Sequence, residues 1–378
     1  MSLTEPAFTL GVEEEYLLVD RESRDLVTDP PPELMQECVK LCGSQVSPEL
    51  MRSQIEIGTV VCQDIAQAEA ELKRLRGTIS EVCARFGYAP LAVSTHPFAR
   101  WLEQKQTEKE RYTDLTHEMQ AAARRLLICG MHVHVGIDDR ELRIDLMNQL
   151  GYFLPHLLAL SCSSPFWEGE NTGLKSYRLT VFDSLPRTGL PEQFVSWAEY
   201  ERHIGILENA GLIEDASRIW WDLRPSARFP TLETRIMDVC TNIHHAVSMA
   251  ALNVCLLRML YRLRRSNQRW RIYASMLINE NRWRAMRYSF DEGMIDLALG
   301  EVVPFRELLT EVIGFVWEDA EALGCTDAIA RLPSIFEEGT SAHRQINVYD
   351  EAIAQGSSAP EALRQVVDWL IKETVRDI

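Results

Sequence analysis

Three short segments place charged or imidazole side chains two residues apart inside apolar runs, and a fourth sets one carboxylate between two isoleucines. Glu13 and Glu15 flank Glu14 in Gly11-Val12-Glu13-Glu14-Glu15-Tyr16. Glu56 sits between Ile55 and Ile57, His132 and His134 alternate with Met131, Val133 and Val135, and Glu233 and Arg235 flank Thr234. In an extended strand, side chains i and i+2 share a face. Each segment therefore carries acidic, imidazole or guanidinium groups on one face and, mostly, apolar groups on the other. Any one of them fits the wet face of a half-solvated antiparallel sheet. Together they are mostly Glu and His, not the mixture of Lys, Thr, Ser and Gln of a plain surface. Clustered carboxylates repel one another and call for a cation. Carboxylate oxygens with one or two imidazoles suit Mg²⁺ or Mn²⁺, and His-x-His with one carboxylate also suits catalytic zinc. Several carboxylates around more than one Mg²⁺ is an environment expected for ATP phosphates. The chain has no G-x-x-x-x-G-K-[ST] loop, no G-x-G-x-x-G fingerprint and no G-x-S-x-G elbow.

Positioning these groups requires strands. Phe8–Asp20, Gln54–Cys62, Tyr88–Thr95, Gly130–Asp138, Ile219–Leu223 and Thr231–Val239 read as strands. Asp64–Phe86, Thr107–Leu127 and Glu141–Leu160 read as helices, and Ser161–Pro191 has the Gly, Pro, Ser and Asn density of a loop. After Thr241 the pattern turns helical, over His244–Arg265, Trp270–Tyr288, Pro304–Leu323, Ala342–Ala354 and Pro360–Val375, with no further strand expected. The strands are not each followed by a helix, so the expected class is α+β, with helices on one sheet face and a cleft on the other. Residues 1–378 read as a single catalytic domain, with a mainly sheet-based core over 1–240 and a helical part over 241–378 packed on it.

At 378 residues, the chain can bury a large core. With 39 Lys and Arg against 56 Asp and Glu, its net charge of −17 excludes a generic nucleic-acid or anionic-membrane binder. The nine cysteines form no C-x-x-C pair and several lie in apolar runs, as reduced thiols do. No signal peptide is visible and no uninterrupted apolar run is long enough to span a membrane. The expected location is cytoplasmic.

The segments Glu13-Glu14-Glu15-Tyr16, Gly130-Met131-His132-Val133-His134-Val135-Gly136 and Leu232-Glu233-Thr234-Arg235 resemble the glutamate–cysteine ligase type 2 family, and more closely its bacterial carboxylate–amine ligase branch. Ser164-Pro165-Phe166-Trp167-Glu168-Gly169, Thr172–Arg178, Pro186-Arg187-Thr188-Gly189 and Glu280–Tyr288 carry the same resemblance, which covers roughly residues 8 to 375. It implies a glutamine-synthetase-like fold, a curved, mainly antiparallel sheet whose concave face holds ATP, Mg²⁺ and an amino acid. It implies ATP-dependent joining of a carboxylate to an amine through an acyl-phosphate, with glutamate as donor and cysteine or another amine as acceptor. Glu13, Glu15, Glu56, His132 and Glu233 would be metal-site residues, and Arg235 would meet the transferred phosphate. His134 differs among relatives. A homodimer is implied by the family alone.

Other segments carry less. Ser164–Arg187 has the length of a lid or substrate loop, in which Lys175, Arg178 and Arg187 could meet a carboxylate or phosphate. Nine arginines between Arg258 and Arg287 read mainly as a solvated helix face, with Asn281, Arg284 and Arg287 as nucleotide contacts. Trp167, Trp220 and Trp221 read as core or cleft wall. Two rivals to the ligase are a zinc hydrolase built on His132, His134 and a glutamate, and a non-catalytic ligand-binding relative.

Overall fold

In the computed structural model, β1 (Leu10–Asp20) is the axis around which the sheet is laid. The structure describes residues 5–378, without the side chains of residues 110, 111 and 113. Leu10, Val12, Glu14 and Tyr16 point into the core, while Gly11, Glu13 and Glu15 turn the other way. The remaining strands are β2 (Val46–Pro48), β3 (Gln54–Gly58), β4 (Tyr88–Leu91), β5 (Met131–Gly136), β6 (Leu223–Pro225) and β7 (Thr231–Thr234). Their order is β6-β7-β5-β1-β3-β2, all antiparallel. Leu17 pairs with both Gln54 of β3 and Leu91 of β4, so β4 takes up the edge of β1 that β5 leaves at Glu14.

The register superimposes the charged faces. Glu13 lies opposite His132, Glu15 opposite Glu56, and His134 opposite Glu233. Residues directly opposite in an antiparallel pair present their side chains on the same face.

Helices cover the other face, and two of them pack on the central strands. In α1 (Ile65–Arg85), Ile65, Ala68, Leu72, Leu75, Ile79 and Val82 form a buried stripe at helical spacing. Asp64 caps it, accepting from the Gln67 N–H at 2.8 Å. α2 (Ile243–Arg265) is apolar almost all round and is capped by Asn242. It is long and apolar enough to cross a membrane, but 83% of its most apolar window is buried inside the fold, as in a core helix. The last helix, Ala359–Thr374, docks through Thr374, whose hydroxyl accepts the Ala92 N–H, and through Glu373, which accepts from Asn242.

Several expectations needed revision. Helices Pro32–Cys42 and Trp197–Asn209 were not foreseen. The helix expected over Thr107–Leu127 is split into Glu110–Met119 and Ala121–Arg124 by Gln120, whose φ of 48° breaks the repeat. Strands also occur after Thr241, as the hairpin Met294–Asp296/Glu301–Val303. Asn281 explains part of it, since its side-chain amide pairs with both backbone groups of Ile295.

The strongest internal constraint is ionic. Glu14 is 0% exposed and receives two N–H bonds from Arg76, also 0% exposed, at 2.9 and 2.5 Å, and the Tyr16 hydroxyl at 2.5 Å. Arg76 also donates to the carbonyls of Cys240 and Thr241. Glu14→Gln or Arg76→Met should each destabilise the protein by ~3–5 kcal/mol, because each leaves a buried polar partner stranded. Glu14→Leu combined with Arg76→Leu should recover part of the loss. Denaturant titration checks this, and single variants within about 1 kcal/mol of wild type would contradict it.

A second expectation concerns acid. The His96 Nδ1 accepts N–H bonds from Phe98 and Ala99, and its Nε2 donates to the Arg24 carbonyl at 2.9 Å. The ring is thus held neutral, and burial pushes its pKa down to about 4. The unfolded chain, titrating near ~6.5, then binds the proton first. Stability from this site is complete above ~6.5 and is lost as pH falls toward 4, by up to ~2 kcal/mol at pH 5. His96→Asn keeps an acceptor without the titration, so its stability difference between pH 7 and pH 5 should be smaller than that of wild type. Equal differences would discount the histidine.

Candidate active site

The sheet face opposite α1 and α2 lines a cavity of about 310 Å³. Its carboxylates form two groups. Glu13, His134 and Glu233 have ligand atoms within 4.8 Å of one another, as do Glu15, Glu49 and Glu56. The first group follows from the β1–β5–β7 register. The second follows from β1 against β3, with Glu49 delivered by the turn that joins β2 to β3.

The two groups differ electrically. Burial acts to raise the Glu13 pKa, but hydrogen bonds from His132 and His134 overcome it and hold the carboxyl far below its usual range. The Glu13 carboxylate lies 3.2 Å from His132 Nδ1 and 3.4 Å from His134 Nε2. Burial also opposes ionisation of Glu233, yet Arg235 and Arg224 keep it ionised. Arg224 donates to it at 2.9 and 3.2 Å, and Arg235 also bonds to it. In the second group, burial and the Glu49 charge push Glu15 up to about 8, and burial with the charges of Glu49, Glu13 and Glu15 raises Glu56 well above its ordinary value. His132, buried and facing Arg235, falls to about 4 and is neutral.

These donors fit divalent cations. Three carboxylates crowded without a guanidinium among them are stabilised by a hard cation that takes oxygen ligands. In the other group, Thr231 fixes the His134 Nδ1 at 3.0 Å, which turns Nε2 toward the Glu13 carboxylate at 3.4 Å. One oriented imidazole nitrogen thus stands beside the carboxylates of Glu13 and Glu233.

The cavity gathers Glu13, Glu15, Glu56, His132, Glu233, Arg178 and Arg235 from the sequence-derived set. Arg187 is not among its lining residues. It donates to the Arg218 carbonyl and stacks on Trp220, which does line the cavity. Asn281 is engaged with Ile295, Arg284 donates to the carbonyls of Glu292 and Gly293, and Arg287 donates to that of Gly173. None of these three lines the cavity.

Sequence reasoning missed Glu49, Arg218, Arg224 and Arg228, which do line it. Arg224 lies opposite Glu233 in the β6–β7 ladder. The strand expected there ends at Leu223, one residue short of it. Glu49 carries no strand signal, because its place depends on a turn. His134, left open by the sequence, joins the first group, while His132 lines the cavity with its Nδ1 3.2 Å from Glu13.

A profile of Glutamate-cysteine ligase family 2 (GCS2) matches residues 9–368. A Rhodospirillum rubrum protein bearing the name "Putative glutamate--cysteine ligase 2" is 57% identical over 377 residues, which is 99% of this chain and 97% of that protein. A Ruegeria pomeroyi protein of the same name is 56% identical over 371 residues, covering 98% and 96%. Among solved structures, a Francisella tularensis glutamate–cysteine ligase in complex with AMP superimposes with a TM-score of 0.70 at 12% identity, covering 99% of this chain and 90% of that one. A bifunctional glutathione synthetase from Pasteurella multocida gives 0.67 at 14%, covering 98% and 53%. The shared fold is the α+β, glutamine-synthetase-like arrangement expected from the sequence. The match in sequence over nearly the whole length settles descent: the chain belongs to Glutamate-cysteine ligase family 2.

Proposed function

We propose that this chain is an ATP-dependent carboxylate–amine ligase, joining glutamate or another carboxylate to cysteine or another amine through an acyl-phosphate. The observation that carries this reading is the pairing of two separate carboxylate groups with a guanidinium-rich wall on one sheet face. The relatives' names and the AMP in a structural neighbour support it. The apolar core is continuous from Phe8 to Leu370, which supports treating the chain as one catalytic unit.

Glu15, Glu49 and Glu56 would hold one Mg²⁺ or Mn²⁺, and Glu13, His134 and Glu233 a second. When bound, the cations neutralise and align phosphate oxygens. The substrate carboxylate oxygen attacks the γ-phosphorus of ATP and ADP leaves. The amine nitrogen then attacks the acyl carbon, phosphate leaves with the carbon–oxygen bond pair, and the amine loses a proton. Arg235 presents a planar, permanently charged fork to the phosphoryl oxygens during transfer. Arg224 holds Glu233 ionised and keeps its carboxylate against the sheet. His132, neutral, keeps Glu13 oriented.

Mg²⁺ with ATP should raise the melting temperature more than either alone, since ligands bound only by the native state stabilise it. Glu49→Gln and Glu56→Gln should fold normally and lose most of that metal-dependent increment. No shift in wild type, together with no heat of ATP binding by calorimetry, would sink the ligase reading.

Arg235→Lys keeps a charge and loses the fork. Its rate of ADP release should fall on the order of a hundredfold while its melting temperature stays near that of wild type. If Arg235 served only a salt bridge to Glu233, the variant would turn over at a near-normal rate, and that outcome removes it from the chemistry.

A further inference from the structure

The ladder between β5 and β7 breaks beside Arg235. Thr234 pairs with Val133, and Asp238 bridges Gly130. From Thr234 to Asp238 the chain takes four steps, while its partner takes three from Val133 to Gly130. One extra residue is therefore inserted, and Arg235–Met237 form a β-bulge. A bulge re-aims a side chain and leaves backbone groups without ladder partners. Buried groups of that kind must be satisfied elsewhere.

Here the Arg235 N–H donates to the Asp222 carbonyl, the Met237 carbonyl accepts the Met131 N–H, and a single side chain takes the two carbonyls between. Arg178 donates from Nη2 to the Arg235 carbonyl at 3.1 Å and from Nη1 to the Ile236 carbonyl at 3.3 Å. Arg178 is only 3% exposed, its Nε has no partner, and it forms no ion pair among the described residues. Burying a guanidinium without a paired carboxylate is expensive. The fold also makes room for it, since a Cβ at Gly130 would lie 2.3 Å from Arg178 Nη2. The backbone of Arg178 is itself pinned, its N–H donating to Ser164 Oγ, which in turn donates to the buried Asp238.

We propose that Arg178 is a positioning residue for Arg235. Its fork clamps the two bulge carbonyls and so fixes where the Arg235 guanidinium stands beside Glu233. Its kinetic consequence rests on the ligase reading above; its geometric consequence does not. Two other roles are distinguishable from it: direct contact with an anionic substrate, and simple satisfaction of two carbonyls with no bearing on Arg235.

The experiment compares wild type, Arg178→Lys, Arg235→Lys and the double variant for ADP release, and adds a crystal structure of Arg178→Lys. The proposal expects kcat to fall about tenfold or more in Arg178→Lys with KM for ATP nearly unchanged. It expects the double variant to be no slower than Arg235→Lys alone, because Arg178 acts through Arg235. Should Arg178→Lys fail to fold, Gly130→Ala, which displaces the fork without removing it, must give the same signature. Multiplicative losses, a tenfold or larger rise in KM, or a lower melting temperature with unchanged kcat would each overturn the proposal. If the wild type releases no ADP with any amino-acid pair, the ligase reading falls and the crystal structure decides alone. An Arg235 guanidinium displaced by ~1 Å or more sustains the positioning role, and an unmoved one ends it.

Discussion

Three consecutive glutamates on the central strand impose the main physical constraint. Alternation sends Glu13 and Glu15 to the cleft and drives Glu14 into the core, where no water can solvate it. Only a fully buried partner makes that tolerable, and Arg76 on α1 is that partner. Because Arg76 also holds the carbonyls of Cys240 and Thr241, one side chain ties together the central strand, the helix behind it and the segment that follows β7. The height and register of Glu13 and Glu15 are thereby set from behind the sheet. The site is built on the exposed side of a strand whose buried side is locked by charge.

The cleft then divides by strand order. Toward β6 and β7 stand Arg218, Arg224, Arg228 and Arg235. Toward β3 and β2 stand Glu49 and Glu56, with Glu15 opposite Glu56. A chain with net charge −17 thus concentrates positive charge around Glu233 at one end of one cavity and a group of three carboxylates at the other. Low-dielectric walls strengthen both fields. The carboxylate end has too little positive charge nearby to ionise Glu15 and Glu56 readily, and the arginine end has enough to keep Glu233 ionised. The same residue type therefore occupies two electrostatic states within one site.

Buried polar groups also fix the long connection that borders the cavity. Asp238, whose pKa is raised by burial, accepts the Ser163 N–H and the hydroxyls of Ser164 and Ser176. Arg282 bridges Asp183 and Asp222, joining the 161–191 connection to the approach to β6. A segment whose composition reads as a flexible loop is held at both ends by charged groups with their bonds satisfied. Arg282 sits in a stretch whose neighbours Asn281, Arg284 and Arg287 bind backbone rather than the cavity.

Local spacing assigned each polar residue its face. Period-two spacing set Glu13 with Glu15, His132 with His134 and Glu233 with Arg235, because strand alternation is local and needs no tertiary information. It also set the class, α+β with a helical C-terminal half, since periodicity changes visibly after Thr241. Which strands lie side by side, and therefore which groups meet, came from the folded chain alone. Antiparallel register placed His134, not His132, beside Glu233. A turn carried Glu49 to Glu56, and a one-residue bulge brought the buried Arg178 beneath Arg235. Register, turns and bulges depend on pairing between distant segments, and a local pattern carries no record of its partner. For the same reason the sequence could not show that Glu14, chemically identical to its neighbours, would be claimed by an arginine sixty-two residues away.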